Sequence, residues 1–73
     1  MPATRCYELR TNANRTKFDL AYASGVSLGV IDRLEAARHP ADLECMYVGS
    51  FIAVARALRV RPSDLYPVLG GHQ

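Results

Sequence analysis

The side chains in this chain with metal-binding or nucleophilic chemistry are Cys6, His39, Cys45 and His72, and they are scattered. None of their spacings matches a zinc-ligand pair, so no metal is expected. There is no Gly-rich phosphate loop, no Ser-His-Asp grouping and no carboxylate pair placed for acid–base work, which argues against catalysis and against a cofactor. The remaining chemistry is that of cations. Arg15, Lys17, Arg33 and Arg38 are among the six of nine basic residues that lie in the first 38 positions, although the net charge is only +2. Such a bias permits an anionic partner without demanding one, because binding to a polyanion depends on how many phosphates are neutralised at once.

The elements that would position these cations are written in the residues between them. Thr16-Lys-Phe-Asp19 has the spacing of a capping box, in which the Thr16 hydroxyl accepts from the backbone N–H of Asp19 and the carboxylate sits in the positive first turn. Leu20, Ala21 and Ala23 continue this second helix, and Gly25 ends it as the residue that most cheaply turns left-handed. Ser27 caps a third helix that runs through Val30, Ile31 and Leu34 to about Ala36. Two short helices joined this tightly must cross steeply. That crossing needs a small residue at the close approach, supplied by Ala21, a flexible one at the turn, and apolar residues facing the domain.

The rest of the chain supplies a core for that pair. Cys6, Leu9 and Tyr7 place a first helix over Ala3 to Arg10, and Thr11-Asn12-Ala13-Asn14 reads as a loop. After the break at His39-Pro40, Leu43, Met46, Tyr47, Phe51, Val54 and Leu58 form a helical apolar stripe interrupted by Gly49-Ser50. Either one long fourth helix or a short turn followed by a proper helix satisfies it. A final helix follows Arg61-Pro62 and is stopped by Pro67. The expected fold is all-α, five short helices and no strand, in one domain over residues 1–69 with a frayed tail at 70–73. At 49% apolar and 22% charged residues, the 73-residue chain is composed for folding. A core of this size supplies only about 3–5 kcal/mol. No apolar run approaches the roughly 20 residues of a membrane span. Two distant cysteines without a secretory segment are expected as reduced thiols in a cytoplasmic protein.

From Arg10 through Tyr66 the chain resembles the Cro and repressor-like helix-turn-helix proteins of lambdoid phages and bacteria, the XRE family. The similarity rests on "TKFDLAYASGVS" followed by "VIDRLEAAR", where the family commonly has Thr-Gln-x-x-Leu-Ala, then Gly-Val-Ser, then Ile-x-x-x-Glu-x-Gly-Lys. "VARALRVRPSDLY" is similar to its Ala-x-x-Leu-Gly-Val-x-x-x-x-Leu ending. The resemblance implies a compact lambda-repressor-like domain with its helix-turn-helix at about 17–36. It further implies a phage-type Cro or repressor transcriptional regulator that binds double-stranded operator DNA as a homodimer, formed in solution or only on the DNA, in the bacterial cytoplasm or nucleoid. No small-molecule ligand is expected.

By the same resemblance, Arg10 and Glu35 form a structural ion pair, and Arg15, Thr16, Lys17 and Arg38 contact phosphates. Ser27, Leu28, Gly29, Asp32 and Arg33 form the base-reading set, in which only Arg33 has the fork that reads guanine O6 and N7. Leu28 either packs on a thymine methyl or is buried, in the protein or in a dimer contact. Asp32 repels phosphate, so it meets a cytosine amino group, pairs with Arg33 or another cation, or faces away. The segment between Pro40 and Leu58 is longer than the family's by about six residues, and Asp42 and Glu44 make it acidic. A dimer contact is expected around Val60, Leu65, Tyr66, Val68 and Leu69. Since the fold also serves protein contacts in antitoxins and regulators, a helix-turn-helix protein-interaction module with weak or no DNA reading is the competing expectation.

Overall fold

The Thr16 hydroxyl accepts from Asp19 N–H at 3.0 Å while the Asp19 carboxylate accepts from Thr16 N–H at 3.1 Å, closing the reciprocal cap that starts the second helix. The computed structural model describes residues 2–67, with no strand among them. The elements are α1 Cys6–Asn12, α2 Lys17–Ser24, α3 Leu28–Ala36, a 3-10 turn Pro40–Leu43, α4 Val48–Ala57 and α5 Pro62–Leu65. Gly25 ends α2 at φ +78°, donating to the Ala21 carbonyl at 2.9 Å, and the Ser27 hydroxyl accepts from Val30 N–H to start α3. Among the described residues no helix is long and apolar enough to cross a membrane.

Three expectations are corrected. The first helix begins at Cys6 rather than Ala3, because long-range hydrogen bonds hold the preceding residues instead. Ala3 N–H donates to the Ala37 carbonyl, Arg5 N–H to the Leu65 carbonyl, both at 2.8 Å, and the buried Thr4 hydroxyl to the Leu34 carbonyl at 2.7 Å. The N-terminus thus stitches the ends of α3 and α5 together. The same helix runs on through Asn12, so most of the polar run read as a loop is its last turn and cap. Asn14 takes the left-handed conformation at φ +58°, and the N–H groups of Asn14 and Arg15 return to the carbonyls of Thr11 and Arg10. The third correction concerns the proposed dimer contact. Leu65 and Tyr66 lie in the chain's own core, the Tyr66 ring stacked on Phe51 with centroids 5.1 Å apart, while Val60 is half-buried. Val68, Leu69 and the tail at 70–73 lie outside the described residues.

The open choice over the fourth helix is resolved in favour of a short turn and a separate helix. Pro40 opens the turn, and the Asp42 carboxylate accepts from the N–H groups of Arg38 and His39 at 2.9 and 3.1 Å. Gly49 then falls in the first turn of α4, where its weak helix propensity matters least. Of the apolar stripe, Leu43, Phe51 and Val54 are buried, whereas Tyr47, which precedes α4, is 84% exposed.

Leu20, Ile31, Leu34, Val54, Leu65 and Cys6 are fully enclosed. Each of the large aliphatic side chains contributes about 1.5–3 kcal/mol through burial. α2 packs on both α3 and α4, α1 on α3, and α4 on α5. Of the two crossing helices, α2 is therefore backed by α4 and α3 by α1.

Candidate nucleic-acid interface

On α3, Ile31 and Leu34 face the core and Glu35 turns inward, which leaves Gly29, Asp32, Arg33 and Ala36 exposed along one outward stripe. Their spacing of three and four residues is that of a single helix face. Ser27 is exposed but its hydroxyl is engaged as the cap, and Leu28 is half-buried at the near end of the stripe. A Cβ placed on Gly29 would meet only the Ser27 hydroxyl, at 3.9 Å, so the protein's own packing does not require a glycine there. Arg33 has no carboxylate partner among the described residues and lines a shallow depression with Ala36, Ala37 and Asp42.

The cations expected at phosphates differ in how free they are. Lys17, the first residue of α2, places its ammonium 2.8 Å from Asp32 Oδ1, and this hydrogen bond, with the nearby charge, raises the lysine's pKa above its ordinary value. Of the three options for Asp32, the structure takes the pairing with a cation, with Lys17 rather than the adjacent Arg33. Arg38 is exposed, and its own N–H is taken by Asp42. That carboxylate, read from sequence as an acidic surface feature, is engaged in capping the 3-10 turn, and its pKa lies below the ordinary carboxylate value because two backbone N–H groups stabilise the anion. Arg15 is half-buried beside Thr16, whose hydroxyl is committed to the cap of α2.

Arg10 and Glu35 form the ion pair expected of them. The guanidinium engages both carboxylate oxygens through Nε and Nη2, the second at 3.1 Å, and the side chains are only 11% and 7% exposed. Its Nη1 donates to the Arg15 carbonyl at 2.9 Å. One side chain of α1 thus ties the end of α3 to the residue preceding the cap of α2. Tyr7 lies under the same guanidinium, 5.3 Å from ring centre to Cζ. Cys6 completes the cluster, its thiol pointing at Glu35 Oε2 from 3.8 Å. Burial first, then the nearby carboxylate, pushes the thiol up from 9.0 to about 12.

Cys6 is buried and Cys45 exposed, both as free thiols, and among the described residues no three of His, Cys, Asp and Glu gather at one point. His72 lies outside the described residues. Reasoning from sequence missed the Lys17–Asp32 pair, the Thr4 and Cys6 contacts, and the left-handed Arg59 at φ +59°. Only the last had a signal, since Arg59 stands where the resembled pattern has Gly. Comparison with protein-family models, with curated proteins and with solved structures finds no match.

Proposed function

We propose that this chain is a lambda-repressor-like helix-turn-helix domain that binds double-stranded DNA sequence-specifically, as a small transcriptional regulator of the phage Cro or repressor kind. The observation that carries the reading is the outward stripe Gly29–Asp32–Arg33–Ala36 on a helix capped by Ser27, with Lys17 at the start of the helix that crosses it. A helix held by a core on one face and bare on the other fits the major groove. Arg33 is free to direct its fork at guanine O6 and N7. Gly29, which no packing demands, lets the backbone approach the groove wall, and Leu28 borders the stripe as an apolar contact for a thymine methyl. Arg15, Lys17 and Arg38 supply phosphate contacts that fix register without reading sequence. The domain's longest extent is 31 Å, so two protomers fit side by side on half-sites one DNA turn, about 34–36 Å, apart.

A second reading is favoured by a separate observation. Phe18 and Tyr22 lie four residues apart on α2 and are 72% and 92% exposed, aromatic surface of the kind used in protein contacts. Selection of sites from random duplexes, followed by binding over a salt series, separates the two. A DNA regulator enriches one two-fold site and loses affinity steeply with salt, and Arg33→Ala relaxes a G·C preference at one position by about 1–3 kcal/mol. Failure to enrich any site, with no salt dependence, leaves the protein-contact reading in possession.

A further inference from the structure

Lys17 and Asp32 are a proposed phosphate contact and a proposed base contact that already hold each other. The ammonium donates to Asp32 Oδ1 at 2.8 Å across the crossing of α2 and α3, and the two side chains are 43% and 52% exposed. An ion pair this open to water is worth at most about 1 kcal/mol, enough to bias Lys17 several-fold and weak enough to open when Asp32 meets a better donor. Glu35, the other carboxylate whose charge acts on Lys17, is gripped by Arg10, and Asp32 alone among the described carboxylates lies within ion-pair reach of Lys17. We propose that Asp32 is a specificity-determining residue that restrains Lys17, keeping its ammonium from phosphate until a cytosine amino group takes the carboxylate. The inference rests on the DNA-binding reading.

The chemistry is one of exchange. An ionised carboxylate only accepts hydrogen bonds, so near a duplex it is repelled by phosphate and is satisfied only by a donor. In the major groove the cytosine amino group is the donor that Asp and Glu side chains select. On a duplex with cytosine at the right position, the pair opens into two contacts, carboxylate to cytosine and ammonium to phosphate. On any other sequence, opening the pair leaves the carboxylate unpaired beside phosphate, so the closed form is favoured several-fold and a phosphate contact that would otherwise be indifferent to sequence is weakened. One exposed aspartate thereby makes a lysine's charge conditional on a base that the lysine never touches.

The test compares the wild-type chain, Asp32→Asn and the double variant Asp32→Asn/Lys17→Gln on the selected duplex and on a random-sequence duplex of equal length, over a salt series. Asp32→Asn is expected to bind the random duplex several-fold more tightly. Its log–log salt slope there should steepen by about 0.9, the increment for one more neutralised phosphate. Site selection should lose its cytosine preference by about tenfold and move towards adenine, which Asn reads. Adding Lys17→Gln should cancel the gain on the random duplex. Unchanged affinity and slope for Asp32→Asn overturn the proposal, as does a gain on the random duplex with base preference intact. If even the wild-type chain binds no duplex, the DNA-binding reading falls first and this proposal with it.

Discussion

Arg10 grips both carboxylate oxygens of Glu35 from 25 residues away and, with its remaining nitrogen, the carbonyl of Arg15. The guanidinium fork is therefore filled on two sides inside an almost closed site, 11% and 7% exposed. Removing one partner leaves the other charge uncompensated, which costs about 3–5 kcal/mol for a buried pair. A core this small supplies about that much in total. Arg10→Ala should thus abolish cooperative thermal unfolding by circular dichroism, and Arg10→Lys should rescue little, since an ammonium cannot reproduce the fork. Replacing both, Arg10→Met with Glu35→Leu, should restore a folded domain. A melt of Arg10→Ala close to wild type would show the pair to be dispensable.

Cys6 sits against that pair and is fully enclosed, with its thiol raised from 9.0 to about 12. A raised value means that the folded chain keeps a proton that the unfolded chain loses. The stabilisation is therefore whole below about pH 9 and declines as pH rises towards about 12, by at most ~1.4 kcal/mol per pH unit. Denaturant midpoints measured in steps across this alkaline range should fall, and Cys6→Ala should flatten the fall. A thiol reagent at mildly alkaline pH should label one cysteine per chain at once, the exposed Cys45, and the second only on unfolding. Rapid labelling of both would contradict the burial.

The parts legible from sequence are those decided within four residues. The Thr16–Asp19 box, the turn at Gly25 and the Ser27 cap each depend on neighbours along the chain, and each stands where expected. The outward stripe of α3 follows from periodicity once Ile31 and Leu34 are given to the core. Arg10–Glu35 was reached through a resemblance, because nothing local joins residues on different helices. Where neither locality nor resemblance helped, the outcome depended on how elements pack. Asp32 had three possible dispositions, and the packing of α2 on α3 decided between them by bringing Lys17 within 2.8 Å. Residues Ala3 to Arg5 stay outside the helix because Ala37 and Leu65 accept from their N–H groups and Leu34 from the Thr4 hydroxyl, partners far away in the sequence.

Arg59 closes α4 in a conformation made for glycine. Its N–H returns to the Arg56 carbonyl and that of Val60 to the Ala55 carbonyl, a Schellman ending with Arg59 at φ +59°. The left-handed region costs a residue with a Cβ about 1–2 kcal/mol. Glycine escapes that strain but loses more chain entropy on folding, so Arg59→Gly should stabilise by roughly 1 kcal/mol net. Arg59→Ala keeps the Cβ and serves as the control. Urea midpoints should rank Gly above both Arg and Ala at unchanged m-value. Equal midpoints for Gly and Ala would mean that the backbone strain is relieved elsewhere.

Phe18 and Tyr22 offer a separation between the two proposed surfaces. Both point out of α2, while Leu20 is buried and Ala21 and Ser24 are half-buried, so the aromatic pair contributes little to the core. The cap that starts the helix uses Thr16 and Asp19 and is untouched by changes at either position. Phe18→Gln with Tyr22→Gln should therefore leave stability within about 0.5 kcal/mol, as for surface substitutions away from special contacts, with Gln no worse a helix former. Duplex affinity should hold, because the proposed reading stripe lies on α3. Any self-association seen by light scattering, or capture of a protein partner, should diminish. A tenfold loss of duplex affinity with stability intact would instead put the two aromatic rings on the DNA and merge the surfaces kept apart above.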